Sequence, residues 1–309
     1  MEKIRLGNTN EQISCAGLGT MYFGSKVDEQ TSFSLLDYYV DRGGNLLDSA
    51  NKYASWIPGY EGGESESLIG RWLRQKGNRK DMLLTSKVGF PYGEIPRSLK
   101  KELIISECEK SLGRLGVDTI DIYFAHAYDA ETTAEETMEA FYQLKKSGKI
   151  RYAGASNYTG WRLEEANKVA ESQGWEGYSC LQQRHTYLDP ASRADFNNQE
   201  FLTPEIEDLC HTKNLNIIAY TPLLGGAYTR LDQSLPIQYQ SSHNEQRLAA
   251  LEKISKETGL SPNQLVLAWM VNSTPSIIPL LGCSSEAQLE ENLEGISSSL
   301  SQAIIRSLK

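Results

Sequence analysis

Three side chains capable of acid–base chemistry close apolar runs of the sequence, at positions where parallel strands would end, and a fourth follows in the loop after the first of these runs. Asp48 lies in the run NLLDSA, Lys87 in MLLTSKVG and His126 in TIDIYFAH, while Tyr53 lies five residues beyond Asp48. Ionisable groups in such places are costly unless they find partners. If the strands form a closed barrel, their carboxyl ends meet at one face, so these four side chains can converge on one point. Together they could hold and transfer a proton.

Each of the four residues taken alone has an ordinary structural explanation. An aspartate at a strand end often caps the next helix, and a lone tyrosine is usually an interface aromatic. A lysine there can be a solvated strand end, and a histidine can be a hydrogen-bonded structural residue. Because a strand-end position is only a modest indication of function, the ordered occurrence of all four is what favours a site.

The elements that would position these residues alternate along the chain. Eight short apolar runs predict strands at 17–20, 45–50, 82–89, 119–126, 149–156, 178–183, 216–223 and 276–282. Amphipathic patterns predict helices at 64–75, 98–115, 134–146, 161–171, 203–211, 245–256, 262–271 and 286–296. Such alternation predicts a parallel sheet. Eight units in 309 residues favour an α/β fold, the (β/α)8 TIM barrel, over an open doubly wound sheet.

The start of the chain has a different pattern. The segments KIRLG (3–7) and QISCA (12–16) predict an N-terminal β-hairpin ahead of the barrel, which could plug its bottom. We find no internal repeat and no linker, so we interpret 1–309 as a single barrel domain. Two long loops, 59–64 and 189–200, are expected to shape a site.

Composition excludes several classes of function. The net charge of −9 argues against nucleic-acid binding, which needs a basic footprint. No window approaches the ~20 apolar residues of a membrane span, and the N-terminus lacks the pattern of a signal peptide. The five cysteines are scattered and odd in number, with no C-x-x-C pair. We therefore expect reduced thiols in a cytoplasmic protein, with neither a disulfide framework nor a metal site.

Seven segments, in order, resemble motifs of the aldo-keto reductase superfamily. They are GGNLLDSANKY (43–53), LTSKVG (84–89), DIYFAHAYD (121–129), GKIRYAGASNY (148–158), QQRHTYL (182–188), AYTPL (219–223) and LLGCSSEAQLEENL (280–293). Any one of these matches would be weak, but seven in order are specific. The resemblance implies an NAD(P)H-dependent oxidoreductase that reduces an aldehyde or ketone to an alcohol, or catalyses the reverse.

The resemblance also assigns roles to these four acid–base residues. Tyr53 would be the general acid that protonates the carbonyl oxygen. A free phenol has a pKa of about 10, and the Lys87 ammonium would lower it. Asp48 would pair with Lys87, and His126 would donate a hydrogen bond to the carbonyl oxygen.

The cofactor would lie across the open end of the barrel. Ser156, Asn157 and Gln182 would hold the nicotinamide, on which Tyr220 would stack. The remaining expected cofactor residues are Gly19, Thr20, Met21, Asp48, Thr221, Pro222, Leu223, Gly226, Gly282, Ser284, Gln288, Glu291 and Asn292. The resemblance favours NADP(H), whereas the lack of Arg or Lys in 280–293 favours NAD(H). We keep NADP(H) ahead, with Arg184 and Arg230 as candidates for binding the 2′-phosphate.

The substrate would be a small carbonyl compound or alcohol. Its pocket would be walled by Tyr22, Trp56 and Tyr128 beside Tyr53 and His126, which suits a sugar or an aryl aldehyde. Alternatively, the loop aromatics simply pack the loop. A second class of function also stays open, because the segment 280–293 resembles that of potassium-channel beta subunits, which would make the protein a cofactor-sensing regulatory subunit. Oligomeric state cannot be derived from these patterns.

Overall fold

Eight parallel strands form a closed barrel surrounded by helices, as the alternation predicts. The computed structural model describes residues 1–230, 232 and 234–308. The strands are β1 Lys3–Arg5, β2 Gln12–Ser14, β3 Gly17–Gly19, β4 Leu46–Asp48, β5 Leu83–Val88, β6 Ile120–Ala125, β7 Ile150–Ser156, β8 Cys180–Arg184, β9 Asn216–Tyr220 and β10 Ile277–Gly282. The barrel runs in chain order from β3 to β10, and β10 pairs with β3 to close it.

The helices follow the strands on the outside of the barrel. They are α1 Glu29–Asp41, α2 Glu64–Lys76, α3 Lys101–Leu115, α4 Ala134–Lys146, α5 Gly160–Ser172, α6 Pro204–Lys213, α7 Ser242–Thr258, α8 Pro262–Asn272, α9 Glu286–Ser297 and α10 Gln302–Ser307. None of the helices in the described part of the chain is long and apolar enough to cross a membrane.

The barrel is filled by its own side chains and closed at one end by the hairpin. Strands β1 and β2 pair antiparallel, with Ile4 opposite Ile13. Leu6 and Ile13 are fully buried and pack in one cluster with the inward-facing residues of the barrel strands, among them Leu46, Phe124 and Ile218. The predicted plug is therefore present, and the interior is a packed core and not a channel.

Local capping accounts for most helix boundaries. Helix α8 begins with a capping box, in which Ser261 and Gln264 bond each other's backbone and Pro262 occupies the first turn. Helix α3 begins at Lys101, three residues later than predicted, because Lys100 has an extended ψ of 143°.

The sequence patterns missed the helices α1 and α10. Helix α1 is rich in residues with low helix propensity, such as Phe33, Tyr38 and Val40. It forms because Asp28 caps its first turn, with Thr31 N donating to Asp28 Oδ1 at 2.8 Å, and because it buries Leu35. Tertiary packing overrides propensity in this segment.

Candidate active site

The carboxyl ends of the strands bring the four predicted acid–base residues together. Asp48 is the last residue of β4, Lys87 is the penultimate residue of β5 and His126 directly follows β6. Tyr53 reaches the same point from the loop after β4. These strands are adjacent and parallel, with Asp48 in register with Thr85. Their carboxyl ends therefore lie side by side at one face of the barrel.

Lys87 is fully buried, and each of its three ammonium hydrogens has an acceptor. Nζ donates to Asp48 Oδ2 at 2.7 Å, to the Ser49 carbonyl at 2.6 Å and to Tyr53 Oη at 2.8 Å. Tyr53 Oη in turn donates to Asp48 Oδ2 at 3.1 Å. The ammonium has no donor left for water or for another side chain, so its position is fixed.

The second oxygen of the Asp48 carboxylate is also occupied. Thr85 Oγ1 and Gln182 Nε2 each donate to Oδ1 at 2.8 Å. The carboxylate thus accepts four hydrogen bonds, although its residue is only 2% exposed. These hydrogen bonds compensate for the cost of removing the Lys87–Asp48 ion pair from water. Gln182 lines the cleft, and its amide nitrogen donates a hydrogen bond to Asp48.

The structure corrects one expectation about Tyr53. The Lys87 ammonium was expected to lower the pKa of the phenol, but burial and the adjacent Asp48 carboxylate raise that pKa well above its usual value. The largest cause is burial, which disfavours the charged phenolate, and the adjacent Asp48 carboxylate adds to it. Tyr53 is therefore held as a protonated, neutral phenol at neutral pH.

His126 is also held in its neutral form. Burial and the nearby charges of Lys87 and Lys52 lower its pKa well below the ordinary histidine value. Its Nδ1 has no hydrogen-bond partner among the residues that the structure describes. The ring packs edge-on against Phe90, with centroids 4.7 Å apart, and faces the same cleft as Tyr53.

A cleft of about 770 Å³ extends from these residues across the mouth of the barrel. Most of the residues predicted for cofactor and substrate line it. They are Gly19, Met21, Tyr22, Asp48, Tyr53, His126, Ser156, Asn157, Gln182, Tyr220, Thr221, Pro222, Leu223, Gly226, Gly282, Ser284, Gln288, Glu291 and Asn292. One continuous cleft thus joins the acid–base residues to the segment 280–293.

Besides the fully buried Lys87, three residues predicted for the site lie outside the lining of the cleft. Thr20 is fully buried, where its hydroxyl donates to the Asp48 carbonyl at 2.8 Å. Trp56 lies at the rim, 47% exposed, with its ring edge-on to Tyr53. Tyr128 packs against Tyr158 and under the Arg162 guanidinium. Thr20 and Tyr128 therefore support neighbouring backbone and side chains in this structure.

Asn157 joins three strand ends. Its Nδ2 donates to the His126 carbonyl at 2.8 Å and to Ser156 Oγ at 3.0 Å. Its Oδ1 accepts from Tyr220 Oη at 2.6 Å and from Glu200 N at 3.1 Å. The amide has therefore used its full hydrogen-bonding capacity within the protein. Its backbone lies in the left-handed region, with φ 57°, which asparagine tolerates better than most residues.

The loop after β9 has an unusual backbone. Thr221 and Leu224 both have positive φ, 59° and 50°, and Gly225 and Gly226 follow with positive φ. The positive φ of Thr221 ends the strand at Tyr220, three residues before the predicted end. Strained backbone of this kind concentrates at ligand-binding segments.

Sequence reasoning did not find several residues that line the cleft, namely Phe23, Val27, Phe90, Gln199, Gly225, Thr229, Asn263, Leu280, Leu281 and Cys283. Phe90 lies two residues beyond β5, the strand that carries Lys87, so the strand-end rule could have identified it. The cleft also contains Arg184 and Arg230, which the sequence suggested without placing them. Arg230 comes from the segment after β9 and forms an exposed ion pair with Asp232.

Comparison with known proteins identifies the family to which this chain belongs. The model of the Aldo/keto reductase family matches residues 16–309. The chain is 32% identical to "Uncharacterized oxidoreductase YrpG" of Bacillus subtilis (strain 168), covering 100% of this chain and 95% of the relative. It is 30% identical to "Aldo-keto reductase yakc [NADP(+)]" of Schizosaccharomyces pombe, covering 96% and 86%. It is 28% identical to "Norsolorinic acid reductase stcV" of Emericella nidulans, covering 94% and 76%. The chain therefore belongs to the aldo/keto reductase family, and it is an oxidoreductase.

Proposed function

We propose that the protein reduces an aldehyde or ketone to an alcohol with NADPH, or catalyses the reverse, with Tyr53 as the proton donor. The observation that carries this proposal is the hydroxyl of Tyr53, which lies in a cleft and is bonded to both Lys87 and Asp48. A neutral phenol next to an ammonium is suited to giving up its proton only when a stronger base forms beside it.

The proton would move from Tyr53 Oη to the substrate oxygen as negative charge develops there. Lys87 Nζ, already donating to Oη, would stabilise the phenolate that remains. Asp48 would keep Lys87 charged through the ion pair. His126, being neutral, carries one ring N–H, which would donate to the same substrate oxygen and orient it.

The residues of the cleft fit a nicotinamide dinucleotide. When bound, the reduced cofactor would supply the hydride. Ser156 would hold the carboxamide, and the Tyr220 ring would offer a flat surface. The glycine-containing loop after β9 would receive the pyrophosphate, and the N-terminus of α9 would favour a phosphate.

An orphaned polar atom supports this fit at the far end of the cleft. Asn263 lines the cleft at 7% exposure, and its Oδ1 has no hydrogen-bond partner among the described residues. An amine donor, such as that of adenine, would satisfy it.

The cofactor choice is proposed from Arg230. The segment 280–293 has no basic residue, but Arg230 lines the same cleft as Ser284 and Gln288. A guanidinium can bind a phosphate through two hydrogen bonds. We therefore propose NADP(H), with Arg230 exchanging its Asp232 partner for the 2′-phosphate.

Replacing Arg230 with Gln is expected to weaken NADPH binding about 10- to 100-fold, the range for losing a hydrogen bond to a charged group. NADH binding should change less than threefold, because NADH has no 2′-phosphate. Fluorescence titration of the variant with each cofactor measures both dissociation constants. Arg193→Gln, which removes a charge outside the cleft, is the matched control. An equal loss for both cofactors would assign Arg230 to the pyrophosphate instead.

The substrate is proposed to be an aryl carbonyl compound. Tyr22, Tyr53 and Phe90 give the cleft an aromatic wall near His126. Among the relatives, one is named "Aryl-alcohol dehydrogenase GME11368" of Pestalotiopsis microspora, 26% identical over 91% of this chain and 72% of that relative. The five buried free cysteines agree with a reducing compartment, and we propose the cytoplasm.

Steady-state turnover of an aldehyde panel with NADPH tests the proposal. We expect turnover of aryl aldehydes above that of alkyl aldehydes of similar size. Tight NADPH binding without turnover of any aldehyde or alcohol would favour the regulatory, cofactor-sensing alternative.

A further inference from the structure

An aromatic wall beside His126 has two cations next to it. Phe90 lines the cleft, and its ring contacts His126 edge-on. The Lys52 ammonium lies 4.8 Å from the centroid of that ring and 5.9 Å from the centroid of Trp56. The Arg97 guanidinium lies 5.9 Å from the Phe90 centroid. The proposed acid–base pocket is thus continuous with a surface that is both aromatic and positively charged.

Arg97 is already partly committed within the protein. Its Nη2 donates to the Tyr128 carbonyl at 2.6 Å. Hydrogen bonds that oppose the effect of burial lower the pKa of the nearby Asp129 carboxyl, and the Arg97 charge adds to them. Arg97 therefore contributes less free positive charge to the wall than its position suggests.

Lys52 combines partial burial with the lack of an acceptor for its ammonium among the described residues. Within residues 1–230, 232 and 234–308, the structure gives its ammonium two aromatic contacts and no carboxylate or hydrogen-bond acceptor. Half-buried Lys101, by contrast, pairs with Glu139 at 2.7 Å. Partly desolvating an ammonium is unfavourable, and aromatic faces offset only part of that cost. Lys52 has the free donors that an external anion would need.

The charge of Lys52 reaches the reacting groups. It acts on His126, whose pKa it helps to depress. Trp56, the second ring under the ammonium, is edge-on to Tyr53, with centroids 6.4 Å apart. A substrate whose carbonyl oxygen meets Tyr53 and His126, and whose body lies along Phe90, would therefore extend toward Lys52.

We propose that Lys52 is a specificity-determining residue that binds an anionic substituent of the substrate, so that the preferred substrates are carbonyl compounds carrying a carboxylate. This inference rests on the proposed reductase function, because it names the substrate class of that same site. The chain has a net charge of −9, which would repel anionic substrates unless a local cation attracts them. Arg184 and Arg230 line the cleft itself, whereas Lys52 and Arg97 lie beside its wall at Phe90, where a substituent of the substrate would meet them.

The test compares aldehydes of similar shape that differ in charge. We would measure kcat/KM with NADPH for 3- and 4-carboxybenzaldehyde and for the 3- and 4-nitrobenzaldehydes, whose nitro group is planar like a carboxylate but neutral overall. The proteins are the wild type, Lys52→Met, Lys52→Arg and Lys26→Met. Lys26 is the matched control because its exposed ammonium lies over another ring of the cleft, that of Tyr22.

We expect the carboxy-to-nitro ratio of kcat/KM to fall at least ~10-fold in Lys52→Met at one ring position or both, mainly through KM of the carboxylate substrate. Lys52→Arg should retain most of the ratio, and Lys26→Met should leave it unchanged. Three results would overturn the proposal: an unchanged ratio in Lys52→Met, an equal loss for both substrates, or an equal shift in Lys26→Met.

The same experiment separates this proposal from the one on which it rests. Wild-type turnover of the nitrobenzaldehydes with an unchanged ratio in Lys52→Met would refute the anion subsite and leave the reductase function standing. No wild-type turnover of any of the four aldehydes would refute the aryl-carbonyl reductase function and the subsite with it.

Discussion

Replacing Tyr53 with Phe is expected to lower kcat for aldehyde reduction at least ~100-fold while NADPH still binds. The substitution removes only the hydroxyl that would give its proton to the substrate, and general acid catalysis contributes ~10²- to 10⁴-fold. Steady-state kinetics and a cofactor titration on the same preparation measure the two effects separately. Tyr142→Phe, on helix α4 away from the cleft, is the matched control. Turnover of Tyr53→Phe within a few-fold of wild type would show that another group supplies the proton.

The pH dependence of the wild type follows from the raised pKa of Tyr53. Reduction needs the protonated phenol, and a pKa above the usual value keeps it protonated through the neutral range. The rate of reduction should therefore stay level across that range and decline only in alkali. Alcohol oxidation needs the deprotonated form, so its rate should rise as the pH rises. A reduction rate that already falls between mildly acidic and neutral pH would contradict the assignment.

Replacing Lys87 with Met is expected to damage both activity and stability. Activity should fall at least ~100-fold, because the phenolate formed at Tyr53 would lose its stabilising ammonium. The free energy of unfolding should fall by about 3 kcal/mol, because the substitution leaves the buried Asp48 carboxylate without its cation. The expected loss is at the low end for a broken buried pair because Thr85 and Gln182 still donate to Asp48. Urea unfolding and steady-state kinetics measure the two effects.

The double variant Lys87→Met/Asp48→Asn separates those two effects. Removing the stranded charge should restore more than half of the lost stability, whereas activity should stay at the level of Lys87→Met. If activity returns together with stability, Lys87 acts only through folding. If the single variant loses neither, the charge-pair account fails.

The strand ends were predictable because parallel strands buried on both faces leave continuous apolar runs. Asp48, Lys87 and His126 each interrupt or follow such a run, so their convergence follows from the barrel once eight runs are counted. The direction of the Tyr53 pKa shift was not predictable in this way. It depends on how deeply the fold buries the phenol and on how close the Asp48 carboxylate lies to it, which the order of residues does not specify.

The hydrogen-bond partners of individual polar side chains were also not predictable from the sequence. Asn157 was expected to bind cofactor, but its four hydrogen bonds depend on where the ends of β7 and β9 and the segment at Glu200 come to lie. Likewise, Arg230 lines the same cleft as Gln288 only because of the path that the segment after β9 takes. Contacts between elements distant in sequence determine both placements.

The turn that carries Tyr53 contains a non-glycine residue with positive φ. Ala54 is fully buried and has φ 76°, a conformation that costs an L-residue roughly 1–2 kcal/mol. Because the turn is held by the protein's own packing and Tyr53 Oη is hydrogen-bonded to Lys87 and Asp48, the fold itself orients the phenol. The entropy of arranging the acid is lost once, during folding, and does not have to be lost again at each turnover. Substrate affinity and catalytic alignment can therefore change independently: the rim around Trp56 and Lys52 can vary to select different substrates while the proton donor stays in place.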